Sequence, residues 1–94
     1  MFAVQARWPD ASVEITGESR EWSRLGESGH RSIYRFCPRC GATLAYVNEE
    51  MPGVTAIAVG AFADPGFPPP RFSVWERRRH PWVAVTAGEV EHWE

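Results

Sequence analysis

The sequence predicts a mainly β domain, and three observations support this prediction. Apolar residues recur with period two over short runs such as Phe2–Trp8, which is the spacing of a half-buried strand. Eight glycines and eight prolines punctuate the chain and 13% of its residues are aromatic, a composition that favours short strands joined by turns. Ninety-four residues suffice for a modest core, so we predict a single domain over residues 1–94.

The first half of the chain contains a regular series of predicted strands and turns. The strands are Phe2–Trp8, Val13–Thr16, Arg20–Leu25, Ser32–Phe36 and Thr43–Val47. The turns, where Gly, Pro, Asn or Ser cluster, are Pro9–Asp10, Gly17–Ser19, Gly26–His30 and Asn48–Gly53. No stretch has a convincing helical pattern, so the predicted elements are strands throughout.

The second half begins with Val54–Val59, the most apolar run, which we predict to be a central strand. Four prolines in Ala63–Pro70 fix φ and remove hydrogen-bond donors, so this stretch is predicted to be irregular. Arg71–Trp75 is predicted to return as a strand, and Trp82–Val85 to extend the core. Gly88–Glu94 is predicted to be an acidic tail.

Charge and composition exclude several classes of partner. The formal net charge of −2 gives no electrostatic reason to expect nucleic acid or an acidic membrane. No apolar run is long enough to span a bilayer, and the N-terminus lacks the pattern of a signal peptide. We expect a cytoplasmic protein with neither nucleic acid nor membrane as partner. The basic run Arg77–His80 is interpreted as a solvated turn with Glu76 as a local partner.

The chemistry of the chain is concentrated in Arg35–Leu44, which contains both of its cysteines, Cys37 and Cys40. The spacing Cys-x-x-Cys lets a turn bring two sulfurs to one side, as in a zinc knuckle. Gly41 can take the positive φ that directs backbone N–H groups at the thiolates. A structural zinc takes four ligands, however, and this motif supplies two.

Several interpretations of the cysteine pair remain open from the residues alone. Disulfide oxidoreductases place such a pair at a helix N-terminus, whereas a strand, Thr43–Val47, is predicted here, so redox chemistry is disfavoured. The histidines His30, His80 and His92 are not spaced as a ligand pair, and we interpret them as solvated surface residues. A second copy could complete a four-cysteine site across a twofold axis. The thiols could also be free, joined by a bond, or vestigial.

Four motifs occur in a characteristic order along the chain. They are Arg35–Leu44, Met51–Val54, Gly60–Pro65 and Val74–Trp82. Together they resemble the glutathione-dependent formaldehyde-activating enzyme (GFA) family, which includes centromere protein V. The resemblance covers essentially the whole chain, and it is more specific than the knuckle alone.

The resemblance implies a zinc-containing, β-sandwich-like domain in which two stacked sheets carry a knuckle between strands. For founding members it also implies a carbon–sulfur lyase of the S-hydroxymethylglutathione synthase type, which condenses formaldehyde with glutathione. In the family pattern a structural zinc takes cysteines from an N-terminal Cys-x-Cys and from the later Cys-x-x-Cys. A second, catalytic zinc takes three cysteines from a Cys-x-Cys-x-x-Cys stretch between them.

Only the later pair of this pattern has a counterpart here, as Cys37 and Cys40. The resemblance therefore implies half a structural zinc site and no catalytic zinc ligands, in a domain that lacks the family's N-terminal part. A zinc Lewis acid cannot act without its ligands, so we expect the chain as it stands to lack lyase activity, and its catalytic residues are unassigned. Glutathione or another small thiol is the partner that the family implies. The alternative is a small zinc-dependent dimerisation domain, a homodimer that shares the knuckle.

Overall fold

The computed structural model describes residues 3–86 and 88–94, and strands are its main elements. The mainly β class is therefore confirmed. The described residues divide into two compact units: Gln5–Ala63 forms one, and Asp64–Glu94 with residues 3 and 4 forms the other. The single domain predicted over residues 1–94 stays a prediction.

The first unit is built on an antiparallel five-stranded sheet. Its strands are β1 (Gln5–Pro9), β2 (Arg20–Leu25), β3 (Arg31–Phe36), β4 (Thr43–Asn48) and β5 (Val54–Ala58). The order across the sheet is β1-β5-β4-β3-β2, so β5 has neighbours on both sides, as its apolar sequence predicts. The sequence-predicted strands that correspond to β2, β3, β4 and β5 are confirmed.

Two small residues lie at the most buried positions of this sheet. Ala45 on β4 is 2% exposed, and Ala56 on β5 is 3% exposed. Because Ala45 lies opposite Ile57, the neighbour of Ala56 along β5, the two alanines face opposite sides of the sheet. Both faces of the sheet centre are therefore buried.

A row of aromatic side chains crosses one face of the sheet. Trp22, Tyr34 and Tyr46 are cross-strand neighbours on β2, β3 and β4. Their ring centroids are 5.7 Å and 5.0 Å apart in successive pairs. Such cross-strand aromatic pairs stabilise a sheet beyond the area that they bury. The outermost ring, Trp22, is 56% exposed, so the row ends at the surface.

The predicted strand Val13–Thr16 is wrong. A short 3₁₀ helix, Asp10–Ser12, follows β1, and residues 13–16 then run without strand pairing. The alternating apolar residues are only partly covered, because Val13 is half-buried whereas Ile15 is 40% exposed. Thr55 holds the segment in place, since its Oγ1 donates a hydrogen bond to Asp10 Oδ1 at 2.6 Å.

The first strand is shifted relative to the predicted Phe2–Trp8, and the start of that range lies outside the described residues. The strand begins at Gln5 because its partner β5 ends opposite it, at Ala58. The chain then enters the 3₁₀ helix Val59–Phe62, so β5 also stops one residue short of the predicted Val59.

The second unit contains a two-stranded parallel sheet, β6 (Phe72–Ser73) with β7 (Glu91–His92). Residues 64–70 form turns and irregular backbone, as the prolines predict. The predicted strand Arg71–Trp75 is too long, because Trp75 adopts a left-handed φ of 59° and starts the 3₁₀ helix Glu76–Arg78. The predicted extension of the core over Trp82–Val85 is wrong for Trp82, which is 72% exposed, whereas Val83 and Val85 are half-buried.

An ion pair connects the 3₁₀ helix Glu76–Arg78 to β7 within the second unit. Glu76 Oε1 lies 2.5 Å from His92 Nδ1 and Glu76 Oε2 lies 3.9 Å from Arg79 Nε. The hydrogen bond from His92 lowers the pKa of Glu76 below its usual value, against a smaller opposing effect of burial. Arg79 of the basic run thus has the local partner that the sequence predicts. Within residues 3–86 and 88–94, no helix has the length and apolar content that a membrane crossing requires.

The Thr55–Asp10 hydrogen bond predicts a stability change on substitution. Thr55→Val keeps the side-chain shape but removes the donor, so we expect the free energy of unfolding to fall by about 1–2 kcal/mol. Chemical denaturation measures this change. The exposed β4 residue Thr43 provides a matched control, and Thr43→Val should change stability little. Equal effects of the two variants would contradict a role for this bond.

Candidate metal centre

The cysteines lie in the loop that joins β3 to β4, between Phe36 and Thr43. Two backbone hydrogen bonds close this loop: Cys37 N–H donates to Ala42 C=O at 2.9 Å, and Gly41 N–H donates to Cys37 C=O at 2.8 Å. The loop is therefore a tight turn held by its own backbone. We call residues 37–42 the knuckle.

The knuckle also sets an irregularity in the sheet. Arg35 lies opposite Ala45, but the next residue, Phe36, lies opposite Thr43, so β4 carries one extra residue, Leu44. This is a β-bulge, which bends the strand and increases its local twist. The hairpin therefore turns at the knuckle while the rest of β3 and β4 stays in register.

Gly41 has the positive φ that the sequence predicts, at 76°. A Cβ built at this position would meet nothing within 4 Å. The requirement for glycine is therefore one of backbone conformation, since side chains disfavour this left-handed region, and not one of space.

The backbone of the knuckle is directed at the sulfur of Cys37. The N–H groups of Cys40 and then Arg39 donate hydrogen bonds to it and, together with the thiol of Cys40, lower the pKa of Cys37 below its usual value. Burial opposes this shift weakly. Cys37 is half-buried, Cys40 is exposed, and neither forms a disulfide. The arrangement favours a thiolate, which is the form that binds metal ions.

The donor set fits half of a zinc site. Two thiols two residues apart, with backbone N–H groups aimed at the first sulfur, suit a tetrahedral zinc with sulfur ligands. Among residues 3–86 and 88–94, no group of three or more His, Cys, Asp or Glu side chains could hold a metal ion. The knuckle thus offers two donors, and the described part of the chain brings no third one to them.

The three histidines are exposed, and each has a neighbour of its own. His30 Nδ1 lies 3.2 Å from Glu50 Oε1. The ring of His80 stacks on Trp82 at a centroid distance of 5.3 Å. His92 is paired with Glu76, as described above. The structure does not bring any of them into a metal-binding group with the cysteines, in agreement with their interpretation as surface residues.

The strand that follows the knuckle disfavours a redox role for the cysteine pair. Residues 43–48 form β4, so neither cysteine lies at the N-terminus of a helix. The pKa of Cys37 is lowered by local N–H groups instead of a helix dipole. The arrangement differs from that of disulfide oxidoreductases, which place the pair at a helix N-terminus.

A depression of about 380 Å³ lies on the sheet, and the sequence did not predict it. Its lining includes Val13 and Ile15 from the segment after β1 and Ile33 and Val47 from the sheet. Two charged residues of the lining form an ion pair, in which Arg35 Nη2 lies 3.2 Å from Glu21 Oε1. Residues from distant parts of the sequence converge here, and no local motif signals such a convergence.

Comparison with protein families gives one result. The sequence model of the family described as glutathione-dependent formaldehyde-activating enzyme matches residues 1–78, a range that contains the knuckle and the whole five-stranded sheet. No curated protein and no solved structure shows a significant match to the chain.

The geometry of the knuckle predicts the reactivity of Cys37. In metal-free folded protein, the pH midpoint for alkylation of Cys37 should lie below its midpoint in denatured chain, because the N–H groups that stabilise the thiolate exist only in the fold. Mass spectrometry after pulsed iodoacetamide measures this, and trypsin cleavage after Arg39 separates the two cysteines. A folded midpoint equal to or above the denatured one would contradict the described hydrogen bonds.

Proposed function

Because the chain belongs to the glutathione-dependent formaldehyde-activating enzyme family, we propose that Cys37 and Cys40 are two of the ligands of a structural zinc ion. The observation that carries this proposal is the tight turn, closed by the backbone hydrogen bonds between Cys37 and residues 41–42, that holds two free thiols two residues apart. The lowered pKa of Cys37, caused first by the backbone N–H of Cys40, favours the thiolate form that binds metal ions. A zinc ion bound there would cross-link the hairpin end and add free energy to folding.

The chain's own residues prepare this site in a defined way. The bulge at Leu44 and the two closing hydrogen bonds fix the turn, and Gly41 supplies the left-handed backbone. Cys37 is half-buried and Cys40 is exposed at the hairpin end. The Cys40 thiol is therefore accessible to a metal ion and to donors from outside the knuckle.

The activity implied by the family name is the condensation of formaldehyde with glutathione, and glutathione or another small thiol is the implied substrate partner. The family's catalytic zinc site has three cysteine ligands. This chain has two cysteines, and both belong to the knuckle. We therefore propose that these 94 residues do not accelerate this reaction by themselves. Unpaired thiols remain available to zinc in a reducing compartment, so we propose a cytoplasmic location.

The second candidate is a zinc-dependent homodimer in which two knuckles share one ion. Two observations favour it: Cys40 is exposed, and the described residues bring no third donor to the knuckle. Two copies related by a twofold axis would together supply four thiolates. In this case the zinc ion would hold two chains together, and the domain would function as a dimerisation domain.

The proposed lack of lyase activity is tested by measuring the rate of adduct formation between formaldehyde and glutathione with exchange NMR. We expect the rate of adduct formation with the 94-residue chain and zinc to equal the spontaneous rate, because no catalytic zinc ligands are present. A family enzyme with the complete set of cysteines is the positive control. A rate that rises in proportion to chain concentration, and falls in Cys37→Ser, would contradict the proposal.

Zinc binding at the knuckle predicts an effect on stability. At a zinc concentration of about 100 times the dissociation constant, the bound ion adds about 2.7 kcal/mol, so Cys37→Ser should lower the melting temperature by roughly 10 °C or more. In excess chelator the variant and the original chain should melt together. Ala42→Ser, an exposed knuckle residue that is no ligand, is the matched control and should keep the zinc effect. A zinc effect retained in Cys37→Ser would contradict the assignment.

A further inference from the structure

One edge of the five-stranded sheet is open. Among the described residues, β2 pairs with β3 on one side and with no strand on the other. All six of its residues are exposed, including Trp22 at 56% and Leu25 at 63%. The opposite edge, β1, is shorter and ends at Pro9, which lacks an N–H group. An exposed edge with large apolar side chains is a template for pairing with another strand.

The hydrogen bonds of the hairpin determine which backbone groups of β2 point outward. Gly26 N–H donates to His30 C=O at 2.9 Å, at the start of the β2–β3 ladder. Antiparallel ladders alternate, so Arg24, Trp22 and Arg20 bond to β3. The residues between them then point their N–H and C=O groups away from the sheet. These outward residues are Glu21, Ser23 and Leu25.

We propose that the β2 edge pairs with the β2 edge of a second copy of this chain, antiparallel and centred on Ser23. In this register Ser23 lies opposite Ser23 of the second copy, and Glu21 lies opposite Leu25. Each of these opposed pairs uses outward groups and exchanges two hydrogen bonds. The two sheets become one continuous sheet, and the contact is closed by its twofold axis.

The side chains select this register over its two neighbours. Opposed residues must lie on the same face, so the neighbouring symmetric registers are centred on Trp22, which would place Arg20 opposite Arg24, or on Arg24, which would place Arg24 opposite itself. Like charges directly opposite each other are destabilising. Centring on Ser23 instead places Arg24 opposite Trp22, where the guanidinium can lie over the indole ring. The aromatic row of each sheet is thereby extended across the contact.

This contact is independent of the zinc proposal. Phe36, next to Cys37, lies opposite Arg20, three residues from the proposed axis at Ser23. The two knuckles of such a dimer therefore lie on opposite sides of the axis, offset by about 20 Å along the strands at about 3.4 Å per residue. They cannot share one zinc ion, so edge pairing persists in chelator and a zinc-bridged dimer does not.

Sedimentation of the 94-residue chain in excess chelator tests the proposal. We expect a monomer–dimer equilibrium whose dissociation constant rises roughly tenfold or more in Ser23→Pro, a loss of about 1.4 kcal/mol. Proline removes an N–H that points outward and has no strand partner among residues 3–86 and 88–94. Both Ser23→Pro and the matched control Ser23→Ala lose the hydroxyl that accepts a hydrogen bond from Arg31, at 3.2 Å. Ser23→Ala should therefore dimerise like the original chain. A monomer up to about 1 mM, or a dimer unaffected by Ser23→Pro, would overturn the proposal.

Amide hydrogen exchange on the unmodified chain provides a second readout that needs no variant. The amides of Glu21, Ser23 and Leu25 should become protected as protein concentration rises, whereas those of Trp22 and Arg24 should be protected at every concentration. Concentration-independent exchange at Glu21, Ser23 and Leu25, in a sample that sediments as a dimer, would overturn the proposal, because the contact would then lie elsewhere.

Discussion

The register between β3 and β4 is the constraint on which the first unit depends, and the knuckle sets it. The hydrogen bonds between Cys37 and residues 41–42 fix where β4 begins, and the bulge at Leu44 places Ala45 opposite Arg35. A slip by one residue would turn every β4 side chain to the other face. It would move Ala45 from its buried position and separate Tyr46 from Tyr34. The same turn that presents two thiols therefore aligns the middle of the sheet.

The sequence predicts most of the first unit because its signals there are local. β3, β4 and β5 are rich in β-forming residues and β2 has Trp22 as its apolar anchor, and glycine or asparagine turns separate them. Gly41 and the cysteine spacing likewise determine the knuckle from adjacent residues. Val13–Thr16 fails because an alternating pattern does not by itself supply a partner strand for hydrogen bonding. Its Val13 packs without a strand partner.

The second unit and the depression on the sheet were less predictable for a related reason. The strand predicted over Arg71–Trp75 ends early because Trp75 adopts a left-handed backbone, which nothing in its neighbours signals. The ion pair of Glu76 with His92 joins residues sixteen positions apart, and so does not appear as a motif. The candidate metal centre is predictable only in part for the same reason. The Cys-x-x-Cys motif identifies two thiols, which the structure places in one turn, but no local motif identifies the remaining ligands.

The family and the geometry contribute different parts of the account. Family membership supplies the expectation of zinc and of chemistry with glutathione, whereas the structure supplies a thiolate-stabilising turn and an open sheet edge. The central claim is that the knuckle binds zinc through Cys37 and Cys40. Elemental analysis of chain purified without added metal tests it most directly. The account predicts bound zinc: about one ion for every two chains where two knuckles share it, and about one per chain where other donors complete the site. Protein that contains no zinc, and whose two thiols both titrate as free, would contradict it.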